Sequence, residues 1–332
     1  MTFLPWQKLT GVFLLSLILS ITLQIYIGNA NIYFSREASG NSYWVDQHEG
    51  VLRNQLPNGK TWDGIGMNGV NIRIGVVYFA DWISKFIRWP IMKTYRWIDN
   101  CFLVATFFFL YFVLELWLGS NRAFIGVFYY AFSQITSYFP GGWHPWDRPS
   151  HFLWLLSLFL LFKKRDILLW LIVMLGMLIK YDLIMISGVY FLANISKTNW
   201  RKPLVVSCLL FFSCASLLWL LIQIFPGGFP DTAKGESHFS KLIAFNIQKF
   251  LEVPLAYPPL LVFSLPLLLG FWGWKKASQF EKAGYLIGSF ALPGYFCTSY
   301  FGETRAEMPL LLMILPCALR AINQSSTSHL NH

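Results

Sequence analysis

The sequence predicts an all-α polytopic membrane protein with about ten transmembrane helices or half-helices and a large first extracytoplasmic loop carrying an amphipathic surface helix. Three observations carry this. Hydrophobic residues make up 55% of the 332 positions and charged residues 13%, where a soluble domain holds about 25% charge. Apolar runs recur along the whole chain with short loops between most of them, which leaves a single domain over 1–332 and no separate soluble module. Lys and Arg fall in short clusters between those runs and alternate with acidic loops. The net charge of +10 therefore reads as membrane topology, not as a nucleic-acid surface. Five cysteines, Cys101, Cys208, Cys214, Cys297 and Cys317, lie in or beside apolar runs without CxxC or CxxH spacing, so neither a disulfide framework nor a zinc site is indicated.

The first element, "LTGVFLLSLILSITLQIYIG" (9–28), follows Lys8. It is long enough to cross a hydrocarbon layer of roughly 30 Å and longer than a usual signal-peptide core, which makes it an anchor. An extracytoplasmic loop, 29–97, follows and exceeds what a connection needs. Within it "VNIRIGVVYFADWISKFIRWP" (70–90) sets Asp81, Lys85 and Arg88 on one stripe and Val77, Ala80, Ile83 and Ile87 on another. As a span it would place Asp81 and Lys85 mid-membrane at roughly 2.5–3.5 kcal/mol each, whereas a helix lying in the interface incurs neither cost. Apolar runs then lie near 98–118, 122–139, 150–162, 166–180, 181–194, 203–225, 254–273, 283–299 and 308–320. A second extracytoplasmic loop, 226–253, holds the amphipathic "HFSKLIAFNIQKFLEVP".

Keeping 70–90 out of the membrane sets the parity of everything after it. Lys8, Arg122, "KKR" (163–165), Lys197, Arg201, Lys202, Lys275, Lys276, Lys282 and Arg320 then share one side with few acids, namely Glu115, Asp166 and Glu281. By the positive-inside rule that side is cytoplasmic, with both termini. An integral protein of a bacterial inner or plasma membrane is expected.

Polar chemistry collects on the opposite face. In "PGGWHPWDRPSHF" (140–152) Pro-Gly-Gly stops a helix, and Trp143 and Trp146 suit the interface, beside Asp147 and Arg148. The segment "MLIKYDLIM" (177–185) puts Lys180 and Asp182 inside an apolar stretch too long for one span. Two half-crossings meeting near the outer surface, with both charges at the bend, resolve it, and ionisable groups there point to function. In the first loop Asp46 and Glu49 are three apart and share a face of any helix, as paired carboxylates or divalent-metal ligands would. "GIGMNG" has GxGxxG spacing without a preceding strand and is not a phosphate loop.

The arrangement resembles the GT-C superfamily of integral-membrane glycosyltransferases. "HPWDRPSHFLWLLSLFLLFKKRD" looks like the PWD-containing turn, span and basic cap of bacterial members, and "FGETRAEMPLLLMILP" is similar to their closing E-x-R-x-x-x-P-L-L-x-x-P segment. The chain departs from the family in lacking an Asp-Glu or DxD pair directly after the first span, and in carrying Lys-Tyr-Asp (180–182) where an Arg-Glu type pair is expected. The resemblance implies sugar transfer from a polyprenyl-phosphate-linked donor to a glycan, lipid or protein acceptor on the extracytoplasmic face, with inversion. It implies Asp46, Asp63 or Glu49 as general base and Arg148, Arg305 and Lys180 on the donor phosphate. Trp143, His144, Trp146, Asp147, Asp182 and Glu303 would line the sugar site. No cofactor is required with certainty, a divalent metal is possible, and membrane lipid is a partner while nucleic acid is not. Two other classes compete. A transporter or lipid flippase would use the broken crossings around Lys180 and Asp182 but would also need polar groups along a path to the cytoplasm. A structural envelope subunit would need no pocket at all.

Overall fold

A computed structural model describes residues 6–30, 43–52, 73–138, 144–196, 198–224, 238–252, 258–298 and 307–322. Among them the secondary structure is helical throughout: α1 (Trp6–Ala30), α2 (Tyr43–Leu52), α3 (Ile74–Ile87), α4 (Ile91–Leu118), α5 (Ser120–Tyr138), α6 (Asp147–Phe162), α7 (Asp166–Met177), α8 (Ile186–Asn194), α9 (Arg201–Ile224), α10 (His238–Glu252), α11 (Pro258–Gly273), α12 (Gln279–Thr298) and α13 (Met308–Leu319). Short 3-10 turns at Tyr181–Met185 and Trp274–Lys276 complete it. Three helices are long and apolar enough to cross a membrane: α1 over Trp6–Ile25, α4 and α9. α7 and α13 are shorter apolar helices.

The expected surface helix at 70–90 and the apolar run at 98–118 prove to be α3 and a longer α4, and the chain chemistry between them explains the break. Arg88 takes a left-handed conformation, φ 60°, and caps α3 through its N–H to Ser84 O. Pro90 follows, which pushes Trp89 out of helical geometry and starts α4 with φ already set. At the far end of α4, Gly119 has φ 88° and ψ 164°, a conformation open to glycine at little cost, so α5 turns back directly.

α1 and α4 run antiparallel and are clasped at both ends. Lys8 Nζ donates to Glu115 Oε1 at one, and Gln24 Nε2 donates to Asp99 Oδ2 at 2.8 Å at the other. Phe107, Leu110, Tyr111 and Leu114 of α4 pack with Tyr130 of α5 and with Trp154 and Leu158 of α6 in one core. Every residue of α13 is buried, so this helix is the axis around which α11 and α12 close. It is approached through glycines: a Cβ on Gly284 would lie 2.9 Å from Met313 O, and one on Gly288 2.8 Å from Ile314 Cγ1. That GxxxG spacing lets helix backbones approach where apolar burial alone gives no drive.

α7 and α8 form a hairpin. With 12 and 9 residues they rise about 18 and 14 Å, each less than a hydrocarbon layer. Their bend lies at Leu178–Asp182, and away from it they are tied by Tyr190 OH donating to Asp166 Oδ2 at 3.2 Å.

The two ends of the bundle differ. Where α4 finishes, ion pairs close the surface: Lys8 with Glu115, and Arg320 with Glu281 at 2.8 Å. Arg320 also donates to Trp117 O and Arg122 to Ile322 O. Where α4 begins, Asp99, Asp147, Arg148, Lys180 and Asp182 are buried.

Candidate functional site

Three charged segments meet at that second end. α6 brings Asp147 and Arg148 on its first turn, where a carboxylate interacts favourably with the exposed N–H groups and Pro149 supplies a preset φ. α4 brings Asp99, two turns inside its start. The α7–α8 bend brings Lys180, extended at φ −157° with its N–H still bonded to Gly176 O at 2.7 Å, and Asp182 on the 3-10 turn. Arg148 Nη1 pairs with Asp99 Oδ2, both side chains nearly inaccessible. Lys180 Nζ lies 3.4 Å from Asp182 Oδ2 and 3.9 Å from Asp147 Oδ1. Asp182 is held further by Trp154 Nε1 at 3.2 Å and Tyr295 OH at 2.9 Å.

Asp99, Asp147, Arg148, Lys180 and Asp182 are all at most 7% exposed. Removing charges from water costs several kcal/mol per ion unless partners compensate, and here three carboxylates face two cations. Carboxylates and cations of the cluster are therefore set against one another, Arg148 on Asp99 and Lys180 between Asp182 and Asp147.

A third cation stands at its edge. Arg73 precedes α3, with its guanidinium 4.7 Å from the Trp146 ring and 5.9 Å from the Tyr181 ring. Gly75 N–H fixes this corner by donating to Leu178 O at 2.8 Å. Stacking engages the guanidinium faces and leaves its N–H edge for an oxyanion. Arg73 Nε is buried without a hydrogen-bond partner among the described residues.

α2 closes the side. His48 Nδ1 shares a hydrogen bond with Tyr95 OH at 2.7 Å, and Nε2 is 3.6 Å from Asp81 Oδ1. Burial pushes the His48 pKa below its ordinary value, with the Asp81 charge opposing. Tyr95 stands one turn before Asp99 on the same face of α4, so α2 is seated next to the cluster. Asp81 is thus not the solvated stripe the sequence suggests, because α2 packs over it; Lys85 holds its other oxygen at 2.7 Å. The apolar face of α3 also splits. Val76, Val77 and Ala80 meet the protein, while Phe79, Trp82 and Phe86 face outward, Trp82 and Phe86 stacked at 5.8 Å.

Of the residues the sequence singles out, Asp147, Arg148, Lys180, Asp182 and Trp146 come together, with His144 ring to ring against Trp146 at 5.1 Å. Arg148 is turned onto Asp99 rather than outward. Glu49 lies exposed on α2; Asp46 is on the same helix, its side chain outside the described residues, as are Asp63, Trp143, Glu303 and Arg305. No group of three His, Cys, Asp or Glu with metal-site geometry occurs among the described residues. Sequence reasoning places Arg73 among the polar residues of the first loop but passes over Asp99, Gln24 and Tyr295. Asp99 was legible as an acid at the mouth of an apolar run; the others carried no pattern. No family model, curated protein or solved structure matches this chain.

Proposed function

We propose that this chain is a GT-C-like membrane transferase that moves a sugar from a polyprenyl-phosphate donor to an acceptor at the end of the bundle where α4 begins, about ten crossings and half-crossings holding that end on the extracytoplasmic side. The observation that supports it is the convergence of five nearly inaccessible ionisable side chains from α4, α6 and the α7–α8 bend, a costly arrangement that a purely structural bundle has no use for. Arg73 and Lys180 hold the donor phosphate. Arg148, committed to Asp99, fixes the α6 turn and its aromatic wall, where Trp146 and His144 meet the sugar. An acid of α2 or the following loop, Asp46 first and then Asp63 or Glu49, accepts the acceptor hydroxyl's proton. The hydroxyl oxygen bonds to the anomeric carbon as the bond to the phosphate oxygen breaks, and the phosphate leaves with its electron pair on the opposite face of the sugar.

The test is transfer by the reconstituted full chain from a panel of short polyprenyl-phosphate sugars. Asp46→Asn should abolish transfer while donor binding persists, and Arg73→Gln should weaken donor binding about tenfold, one charge-assisted contact, with the fold intact. Transfer surviving the loss of Asp46, Asp63 and Glu49 in turn, or donor affinity indifferent to Arg73 and Lys180, overturns the proposal.

One observation favours a transporter centred on Lys180 and Asp182, namely the discontinuous α7–α8 crossing with a buried Lys–Asp pair at its bend. Against it, Ser16, Ser20, Thr106 and Ser133, between the two ends, each bond their own helix, and the far end is closed by ion pairs. Proton-coupled flux without transfer would favour it.

A further inference from the structure

At the far end of the bundle, away from the charged cluster, α7, α8 and α9 leave a lateral cavity of 370 Å³, a volume that accommodates a small ligand. Its walls are apolar: Leu169 and Trp170 of α7, and Val206, Leu209 and Leu210 of α9, with the Tyr190 ring of α8 at the back. Trp170 and Leu209 are exposed on its rim. The wall residues on α9, Val206 to Ser213, cover two turns, so the groove runs along the helices as a hydrocarbon tail does.

What distinguishes this groove from ordinary lipid-facing surface is its mouth. Lys163, Lys164 and Arg165 immediately precede α7, and Arg201 and Lys202 open α9; all five are exposed. The turn that presents the first three is specific, since Lys164 has φ 54°, a strained choice for a residue with a Cβ. The adjacent acid, Asp166, accepts from Tyr190 OH and sits on the first turn of α7, where the helix terminus stabilises it.

An apolar slot beneath five cations fits one class of occupant, and we infer that it is a binding site for an anionic phospholipid of the leaflet at this end, its tail along Trp170 and Leu209 and its phosphate among Lys163, Lys164, Arg165, Arg201 and Lys202. The inference rests on the bundle being membrane-embedded and not on the transferase reading, so either can fail alone. Each basic side chain engaged is worth roughly a fivefold preference for anionic over zwitterionic lipid, the equivalent of about 1 kcal/mol.

The experiment places the full chain in nanodiscs containing dibrominated phosphatidylglycerol or dibrominated phosphatidylcholine. The fluorescence of Trp170 is taken as the difference between the chain and its Trp170→Phe variant. Quenching should saturate at an at least fivefold lower fraction of the anionic lipid. Salt at about 1 M, where charges are screened beyond roughly 3 Å, should erase that preference in the unmodified protein, as should the combined Lys163→Gln, Lys164→Gln and Arg165→Gln variant. The salt arm decides should that variant insert badly. Leu209→Trp, which fills the groove, should abolish the anionic preference without touching the cations. Equal quenching by the two lipids would mean general lipid contact, and absence of Trp170 quenching by either would mean a closed groove. Either result overturns the assignment, as does a preference that survives both salt and charge removal.

Discussion

The Asp99–Arg148 pair shows what a buried charge does to stability in this chain. Both side chains are at most 2% exposed, so neither can fall back on water when its partner is removed. Asp99→Asn removes the carboxylate that Arg148 Nη1 pairs with, deep in the protein, and should destabilise it by about 3–5 kcal/mol. The double variant Asp99→Asn, Arg148→Gln should cost less than the sum of the singles, because two neutral amides can bond one another. Unfolding midpoints in detergent, read as a double-mutant cycle, check this; additive losses would mean that the two charges are separately solvated. Gln24 reaches the same carboxylate from α1, so Gln24→Leu should produce a smaller loss in the same direction, about 1.5–3 kcal/mol for one hydrogen bond to a charged group.

Among the elements, α2 depends on a neutral histidine. His48 sits between Tyr95, Asp81, Glu49 and Lys85, and burial holds its pKa below the ordinary value near 6.5. Above that value His48 is neutral whether α2 is docked or released, and docking is at full strength. As pH falls below it, the released form binds the proton first, and docking weakens progressively through the lowered pKa. Hydrogen exchange of the α2 amides, corrected for intrinsic rate, should therefore lose protection as pH falls below about 6.5, and His48→Phe should flatten that dependence. Protection that rises on acidification would mean that the Asp81 charge outweighs burial. α12 depends instead on having nothing at two positions. A side chain at Gly284 or Gly288 would meet α13 backbone or Ile314 within 3 Å, and α13, buried along its length, has nowhere to retreat. Gly284→Val should cost about 1–3 kcal/mol through overpacking, whereas Gly294→Val on the same helix, where no atom lies within 4 Å of the added Cβ, should cost less. Comparable midpoints for the two would refute close α12–α13 contact.

For the whole molecule, periodicity and charge in the sequence were enough to foresee an α-helical chain, separate helices at 70–90 and 98–118 and the short α7–α8 pair, because each follows from local rules: apolar run length, the cost of Asp81 and Lys85 in a span, two charges inside a stretch too long for one span. The partnerships at the site were not legible. Asp99 and Arg148 are 49 positions apart and Tyr295 and Asp182 113 apart, and no local rule says which of many acids a buried arginine meets. Nor did spacing reveal that α2 would cover Asp81, since docking of one helix on another is decided by tertiary packing. Orientation belongs to this scale as well, and it joins sequence to structure. The end of the bundle closed by Lys8, Arg122 and Arg320 is also the end that carries 163–165, 201–202 and 275–276, while Asp99, Asp147 and Asp182 lie at the other. The insertion machinery retains Lys and Arg in short loops on the cytoplasmic side and is largely indifferent to acids. The basic end should therefore be cytoplasmic. In a variant whose exposed Cys101 and Cys208 are replaced by serine, a cysteine at Glu49 on α2 should react in intact cells with a membrane-impermeant thiol reagent. A cysteine at Ser196, exposed after α8, should react only after permeabilisation. Labelling of position 196 from outside would invert the molecule and place the charged cluster on the cytoplasmic face. Extracytoplasmic sugar transfer would then be excluded, while the lipid groove between α7 and α9 would simply change leaflet.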